Sequence, residues 1–320
     1  MARKRGELAL ISAFTSRLPL HGEGVRVSVG DDAAVLVPPR GEELVATVDE
    51  VVAGVHFDRR FTPFDVGWKA LAVNLSDLAA MGARPLWALV ALALPARDAA
   101  RAPGIARGLG ACARAHGIAV VGGNVSRARA LSLGVTVVGA VPRGKALLRA
   151  GARPGDLVCV TGTLGDAALG LAPRAAPALA RRQRRPSPRL AAGRALAPLA
   201  HAGIDVSDGL VRDLGHVCRA SGVRAALDLE AIPRSAAYRR AVRGAVDPWA
   251  AALAGGEDYE LVLAIPPARL PRARAAAVRA GVPLAVIGRF VRGGAGRAAV
   301  TVRDADGLEV SVPGGHDHLA

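Results

Sequence analysis

Phe64-Asp65-Val66-Gly67-Trp68-Lys69-Ala70-Leu71-Ala72-Val73-Asn74-Leu75-Ser76-Asp77-Leu78-Ala79-Ala80-Met81, followed by Gly82, is the stretch whose reading decides the fold. Its apolar residues recur at helical spacing, and Gly82 is the residue type that stops a helix. Valine-rich runs surround it at Ala33 to Val37, Leu44 to Val52 and Leu86 to Leu94, and these read as strands. A first helix from Glu7 to Leu18, a helix from Asp98 to His116, and strands Ile118 to Val121 and Leu131 to Val141 complete this half. Pro142 to Gly155, rich in Pro, Gly and Arg, reads as a connector.

Strand and helix alternate again beyond it. Leu157 to Thr161, a helix from near Leu164, Gly203 to Val206, Leu210 to Ala220, Ala225 to Leu229, Tyr259 to Ala264, Leu270 to Ala280 and Leu284 to Ile287 follow in order. Helices layered on sheets, an α/β (α+β) class, are expected in each of two domains, 1–142 and 143–320. Arg181-Arg182-Gln183-Arg184-Arg185-Pro186-Ser187-Pro188-Arg189 reads as a polar, solvated loop.

Composition narrows the class of function. The 320 residues are 51% hydrophobic but only 3% aromatic, so a small, aliphatic core is expected. The formal net charge is +15, carried almost wholly by arginine, with lysine only at Lys4, Lys69 and Lys145. These cations are scattered among Ala, Gly and Pro, which argues for a composition bias and against a nucleic-acid patch. A positive surface still attracts anionic substrates such as nucleotides. Cys112, Cys159 and Cys218 are far apart in sequence and form no CxxC pair, which points to core thiols and a reducing cytoplasm. The basic start leads into a helix interrupted by Glu7 and Ser12, unlike a signal peptide, and no apolar run is long enough to span a membrane.

Six acidic segments carry the chemistry, and most lie beside glycine at the ends of apolar elements. They are Gly30-Asp31-Asp32, Thr47-Val48-Asp49, Asn74-Leu75-Ser76-Asp77, Asp205-Val206-Ser207-Asp208-Gly209, Asp213 and Gly255-Gly256-Glu257-Asp258-Tyr259-Glu260. Asp77 is expected in the last turn of a helix, where a carboxylate faces the negative end of the dipole at a cost of about 0.3–1 kcal/mol when exposed. A nearby cation reverses that sign; an ordinary surface aspartate bonded to arginine is the competing reading, and the other acidic segments weigh against it. Ser207 or Asp208 is expected to cap the next helix, and Asp31-Asp32 fits a simple tight turn. Carboxylates are hard oxygen ligands, so their convergence points to magnesium with a polyphosphate. Gly122-Gly123-Asn124, Gly162-Thr163-Leu164-Gly165 and Gly255-Gly256 each offer backbone N–H groups to phosphate, though most such pairs are only turns. No Walker A lysine and no kinase catalytic loop occurs. His56 fits a structural histidine and a substrate contact equally well.

In combination these segments resemble thiamine-monophosphate kinase, of the superfamily of aminoimidazole-ribonucleotide synthetase and selenophosphate synthetase. The resemblance runs through Gly30-Asp31-Asp32, Gly54-Val55-His56-Phe57, Lys69 to Gly82, Arg153-Pro154-Gly155-Asp156, Val160 to Gly165, Arg185 to Arg189, Asp205 to Leu210 and Gly255 to Leu261. It implies transfer of the γ-phosphoryl group of ATP to thiamine monophosphate, with several Mg2+ ions. It implies a two-domain synthetase-like fold. The N-terminal domain binds ATP and magnesium, and its mixed sheet pairs across a homodimer; the C-terminal domain is α/β.

By position, Asp32, Thr47, Asp49, Asp77, Asp205 and Asp208 match metal ligands, with Val48 through its carbonyl and Asn124 as a further metal and nucleotide position. Gly123, Arg149 and Ser207 match ATP contacts, and His56 and Glu257 match substrate contacts. The chain departs from the family at Val48, at Asn124 where many members have aspartate, and near the C-terminus, where His316 stands in place of an aromatic residue. A neutral Asn124 weakens one metal site. A homologue with another acceptor and a non-catalytic nucleotide binder are the competing readings; neither nucleic acid nor membrane is an expected partner.

Overall fold

The computed structural model describes residues 7–293 and 299–312. The chain forms two compact units, Met1–Leu78 with Arg84–Gly144, and Ala79–Ala83 with Lys145–Ala320.

The first unit contains α1 (Glu7–Thr15), β1 (Val25–Val27), β2 (Val35–Leu36), β3 (Glu42–Val52), α2 (Pro63–Ala80), β4 (Arg84–Leu94), α3 (Ala102–His116), β5 (Ala119–Arg127) and β6 (Ser132–Pro142). The last residues of α2, Ala79 and Ala80, belong to the second unit. The long sheet runs β3-β6-β4-β5; only β4 and β5 are parallel. Period-two patterning sorts its faces. Val45, Val51, Val90, Leu92, Val135 and Val137 are buried on one face. Val48 and Leu89 both pair with Thr136 and are exposed on the other.

Glycine lets α2 and α3 meet backbone to backbone. A Cβ on Gly67 would lie 1.9 Å from the Ile105 carbonyl oxygen, and one on Gly108 would lie 1.9 Å from that of Phe64. The helix expected from Asp98 is split instead. A 3-10 turn covers Ala96–Arg101, and α3 starts at Ala102 with Pro103 in its first turn. Of the run Ala33 to Val37, only Val35–Leu36 pairs as a strand.

The second unit contains β7 (Leu157–Thr161), α4 (Asp166–Leu169), α5 (Pro177–Arg184), α6 (Leu190–Leu196), β8 (Ala202–Asp205), α7 (Leu210–Ser221), β9 (Val223–Asp228), α8 (Ala236–Ala241), α9 (Ala250–Ala254), β10 (Leu261–Ile265), α10 (Leu270–Arg279), β11 (Leu284–Arg292) and β12 (Val300–Arg303). Its sheet runs β12-β9-β11-β7-β10-β8. Every residue of β7 and β10 is buried, as expected for strands covered on both faces. The core joins Val158, Val160, Ile204, Leu214, Val217 and Phe290.

The 181–189 segment is not the solvated loop its composition suggests. Its first part lies in α5, and Arg182 and Arg189 both bind the fully buried Glu260. The partner carboxylate is remote in sequence, so charge density alone made the segment look exposed.

Candidate functional site

In the first unit, α2 and β3 build one polar cluster. Asp77 lies in the last turn of α2, and Gly82 follows at φ +70°. The Thr47 hydroxyl donates to Asp77 Oδ2 at 2.8 Å. Asn74 is fully buried; its Nδ2 donates to the Ala70 carbonyl, and its Oδ1 accepts the Asp49 N–H at 2.8 Å. Alternation along β3 sends Thr47 and Asp49 toward α2, while Val48 points to the opposite face and is 64% exposed. Any ligand contact from Val48 on that side must therefore come from its backbone.

Asp31 and Asp32 form a tight turn, with the Asp32 N–H donating to Asp31 Oδ1 at 2.8 Å, and both are exposed. Gly123 and Asn124 lie in β5 rather than in a loop. A Cβ on Gly123 would lie 2.0 Å from the Val90 carbonyl oxygen, so close approach of β4 requires the glycine. Asn124 pairs with Ala91 in the row facing away from α2, so this unit does not bring it together with Thr47 and Asp77.

His56 is held at both ends. Its Nδ1 accepts the Val52 N–H at 3.1 Å, which leaves the ring proton on Nε2. Its carbonyl accepts from the Lys69 ammonium at 3.0 Å. Lys69 is 1% exposed and also lies over the Phe61 ring. No role for this lysine was legible beforehand; its signal was a lone cation inside an apolar helical stretch.

In the second unit, Asp205 ends β8 and is 4% exposed; Val206 to Gly209 then turn into α7. Neither Ser207 nor Asp208 caps this helix, against expectation: the cap position is Gly209, without a side-chain bond. Asp213 serves instead. Its Oδ2 accepts the N–H groups of Ser207, Asp208 and Gly209 at 2.9, 2.9 and 3.2 Å. Burial pushes its carboxyl up to about 6, those three N–H groups oppose the shift, and the Asp208 charge adds to it. Asp208 itself lies 3.7 Å from Arg212.

The Gly255–Glu260 loop is tied to this turn. The Glu257 N–H donates to the Ser207 carbonyl, and the Tyr259 N–H to that of Val206, each at 2.8 Å. Glu257 and Tyr259 adopt left-handed φ values of 69° and 53°. Such non-glycine conformations persist only where the surroundings over-determine them. Asp258 accepts the N–H groups of Gly165 and Ala167 at 2.5 and 3.2 Å. Burial pushes its carboxyl up to about 7, against the pull of those N–H groups and of Arg182. Within the Gly162–Gly165 turn, the N–H groups of Gly162 and Leu164 donate to the Pro283 and Pro233 carbonyls and that of Gly165 to Asp258, a correction to their reading as a phosphate cradle. Gly256 likewise serves packing, since a Cβ there would lie 2.4 Å from the Ser207 carbonyl oxygen.

Arg149 is exposed, and its carbonyl accepts from Ser221 Oγ at 3.1 Å. His316 lies outside the described residues. Cys112, Cys159 and Cys218 are free and buried, and burial holds their thiols well above the usual range. Among the described residues no helix is long and apolar enough to cross a membrane. Nor do three His, Cys, Asp or Glu side chains group closely enough to hold a metal by themselves. Magnesium fits such a donor set. It commonly takes one or two carboxylates plus substrate phosphates rather than an all-protein cage, and every donor here is a hard oxygen.

Two family models match the chain: AIR synthase related protein, N-terminal domain, over residues 30–141, and the C-terminal domain of the same family over 153–301. The thiamine-monophosphate kinases of Salmonella typhimurium and Escherichia coli K12 are each 40% identical, with 98% of both chains covered. Among solved structures, the thiamine-monophosphate kinase of Stenotrophomonas maltophilia is 41% identical, with a TM-score of 0.84 over 95% of this chain and 98% of that one. The structure of AaThiL complexed with AMPPCP and TMP is 32% identical, with a TM-score of 0.77 over 99% of this chain and 98% of that one. Through nearly its whole length, this chain belongs to the thiamine-monophosphate kinase family, on the two-domain AIR-synthase-related fold.

Proposed function

We propose that the protein transfers the γ-phosphoryl group of ATP to the phosphate of thiamine monophosphate, giving thiamine diphosphate and ADP. The observation that carries the reading is the Thr47–Asp77 pair at the C-terminal end of α2. A carboxylate there opposes the helix dipole and gains from a cation. The likeness to named thiamine-monophosphate kinases, one solved with AMPPCP and TMP, supports the choice of substrates.

The acceptor is a phosphate monoester with a second pKa of about 6, so it is largely dianionic at pH 7. It needs no strong base before attack. The acceptor oxygen forms a bond to the γ-phosphorus as the bond to the β,γ-bridging oxygen breaks, and ADP leaves with that electron pair. What the protein must supply is alignment and relief of repulsion between anions. Asp32, Thr47, Asp49 and Asp77, with the Val48 carbonyl, in the first unit, and Asp205 and Asp208 in the second, would each hold Mg2+, and Asn124 would do so from the other face of its sheet; when bound, the metal would neutralise phosphate charge. Ser207, Gly123, Asn124 and Arg149 contact the nucleotide. The tautomer of His56 presents an Nε2–H donor, suited to a phosphate oxygen. Glu257 accepts from N–H donors of the acceptor, and His316 is a further substrate contact.

The reading includes a homodimer formed through the exposed face of the β3-β6-β4-β5 sheet, and residence in a reducing cytoplasm.

The deciding experiment is an ATP-to-ADP assay with thiamine monophosphate, free thiamine and an aminoimidazole ribonucleotide-type acceptor side by side. Thiamine diphosphate should form only from the first, and Asp77→Asn should lower turnover about 100-fold or more. ADP formation with another acceptor alone would assign a different member of the superfamily. Full activity of Asp77→Asn would remove the metal assignment.

A further inference from the structure

The 181–189 segment has no part in the reaction as described above, yet it grips the loop that carries Glu257. Gln183, in the last turn of α5, is 2% exposed, and its Nε2 donates to Glu257 Oε2. Arg182 and Arg189 bind the same loop one and three residues on, at Asp258 and Glu260. Arg182 donates to Glu260 Oε1 at 2.7 Å and to the Asp258 carbonyl at 3.3 Å. Arg189 binds Glu260 in bidentate fashion, at 2.7 and 2.5 Å, and Thr161 Oγ1 donates to Glu260 Oε2 at 2.8 Å.

The backbone of Glu257 is therefore fixed from one side by Ser207, and its carboxylate from the other by Gln183. A left-handed glutamate is costly and persists only where its surroundings over-determine it, so the direction of this side chain is fixed by the loop and its partners. The donor is a neutral amide, unlike the arginines that bind Glu260. An amide orients a carboxylate without cancelling its charge. A charged carboxylate attracts N–H donors and cationic rings and repels phosphate.

We propose that Gln183 is a positioning residue for acceptor recognition: it fixes the Glu257 carboxylate to receive the amino or cationic heterocycle of the acceptor and has no part in binding ATP. The inference rests on the proposed function through the role of Glu257.

The test compares wild type, Gln183→Met, Gln183→Glu and Glu257→Gln, with KM measured separately for thiamine monophosphate and ATP and folding followed by thermal melting. Methionine keeps the volume and removes the donor. It should raise KM for thiamine monophosphate about 10-fold, as loss of a hydrogen bond to a charged group does, and leave KM for ATP within about two-fold. Glu257→Gln should raise the same constant.

Gln183→Glu sets two carboxyls together, so its kcat/KM should fall most at pH 8 and recover toward pH 6 as the pair takes up a proton. Unchanged KM for thiamine monophosphate in Gln183→Met, or equal increases for both substrates, overturns the proposal. If that variant unfolds at the assay temperature, Gln183→Glu decides, and absence of recovery at pH 6 overturns it. Failure of the wild type to phosphorylate thiamine monophosphate sinks the functional reading instead, a result separable from any of these.

Discussion

Asp258 shows how a single residue ties conformation to proton uptake. It is 2% exposed, and burial outweighs its two N–H partners, raising its carboxyl from 3.8 to about 7. An acid whose folded-state pKa is raised stabilises the fold fully below its unfolded value and loses that contribution as pH climbs through the folded one. The window here runs from about pH 4 to about pH 7. The melting temperature of the wild type, minus that of Asp258→Asn, should therefore fall as pH rises across it. A difference that stays flat would mean that Asp258 is ionised in the folded protein throughout. Asp213 taught a related lesson. It stood out in the sequence as an acidic residue without a task, because the three N–H groups it receives become neighbours only once Ser207 to Gly209 have turned.

At the scale of elements, length decided what could be read in advance. Helix α2 and strands β3, β4 and β6 carry long periodic patterns and lie within a few residues of their expected bounds. The short α5, α8 and α9 and strand β12 had no such signal, since pieces of this length owe their form to what they pack against. The site divided in the same way. Asn74 and Asp77 share a helix face, and that much followed from spacing. The Arg182–Glu260–Arg189 cluster did not, because its members come together only in the folded unit. Breaking a buried ion pair from one side leaves charge uncompensated, so Arg189→Ala should lower stability by about 3 kcal/mol in urea titration. A loss below ~0.5 kcal/mol would show that Arg182 alone satisfies Glu260.

For the whole molecule, the proposed second copy has a specific seat. Leu44 is 47%, Val48 64% and Leu89 43% exposed on the sheet face away from α2. Exposed apolar residues gathered on one side of a sheet mark an interaction surface. Leu89→Glu should shift sedimentation from dimer to monomer; a wild type that sediments as a monomer would dismiss this seat. The α/β layering of both halves was visible in the alternation of patterns, whereas strand order was not.

That order has a consequence for synthesis. Strand β3 pairs with β6 and with no other described strand, from Glu42 against Pro142 to Val52 against Ser132. The ribosome therefore releases an eleven-residue ribbon whose mate does not yet exist. Its mate begins about 80 residues later, a delay on the order of 4–16 s at ~5–20 residues per second. During that interval Leu44 and Val48 ride on an unclosed edge, the state most open to pairing with a neighbouring nascent chain. Truncation before Ser132 would make that state permanent.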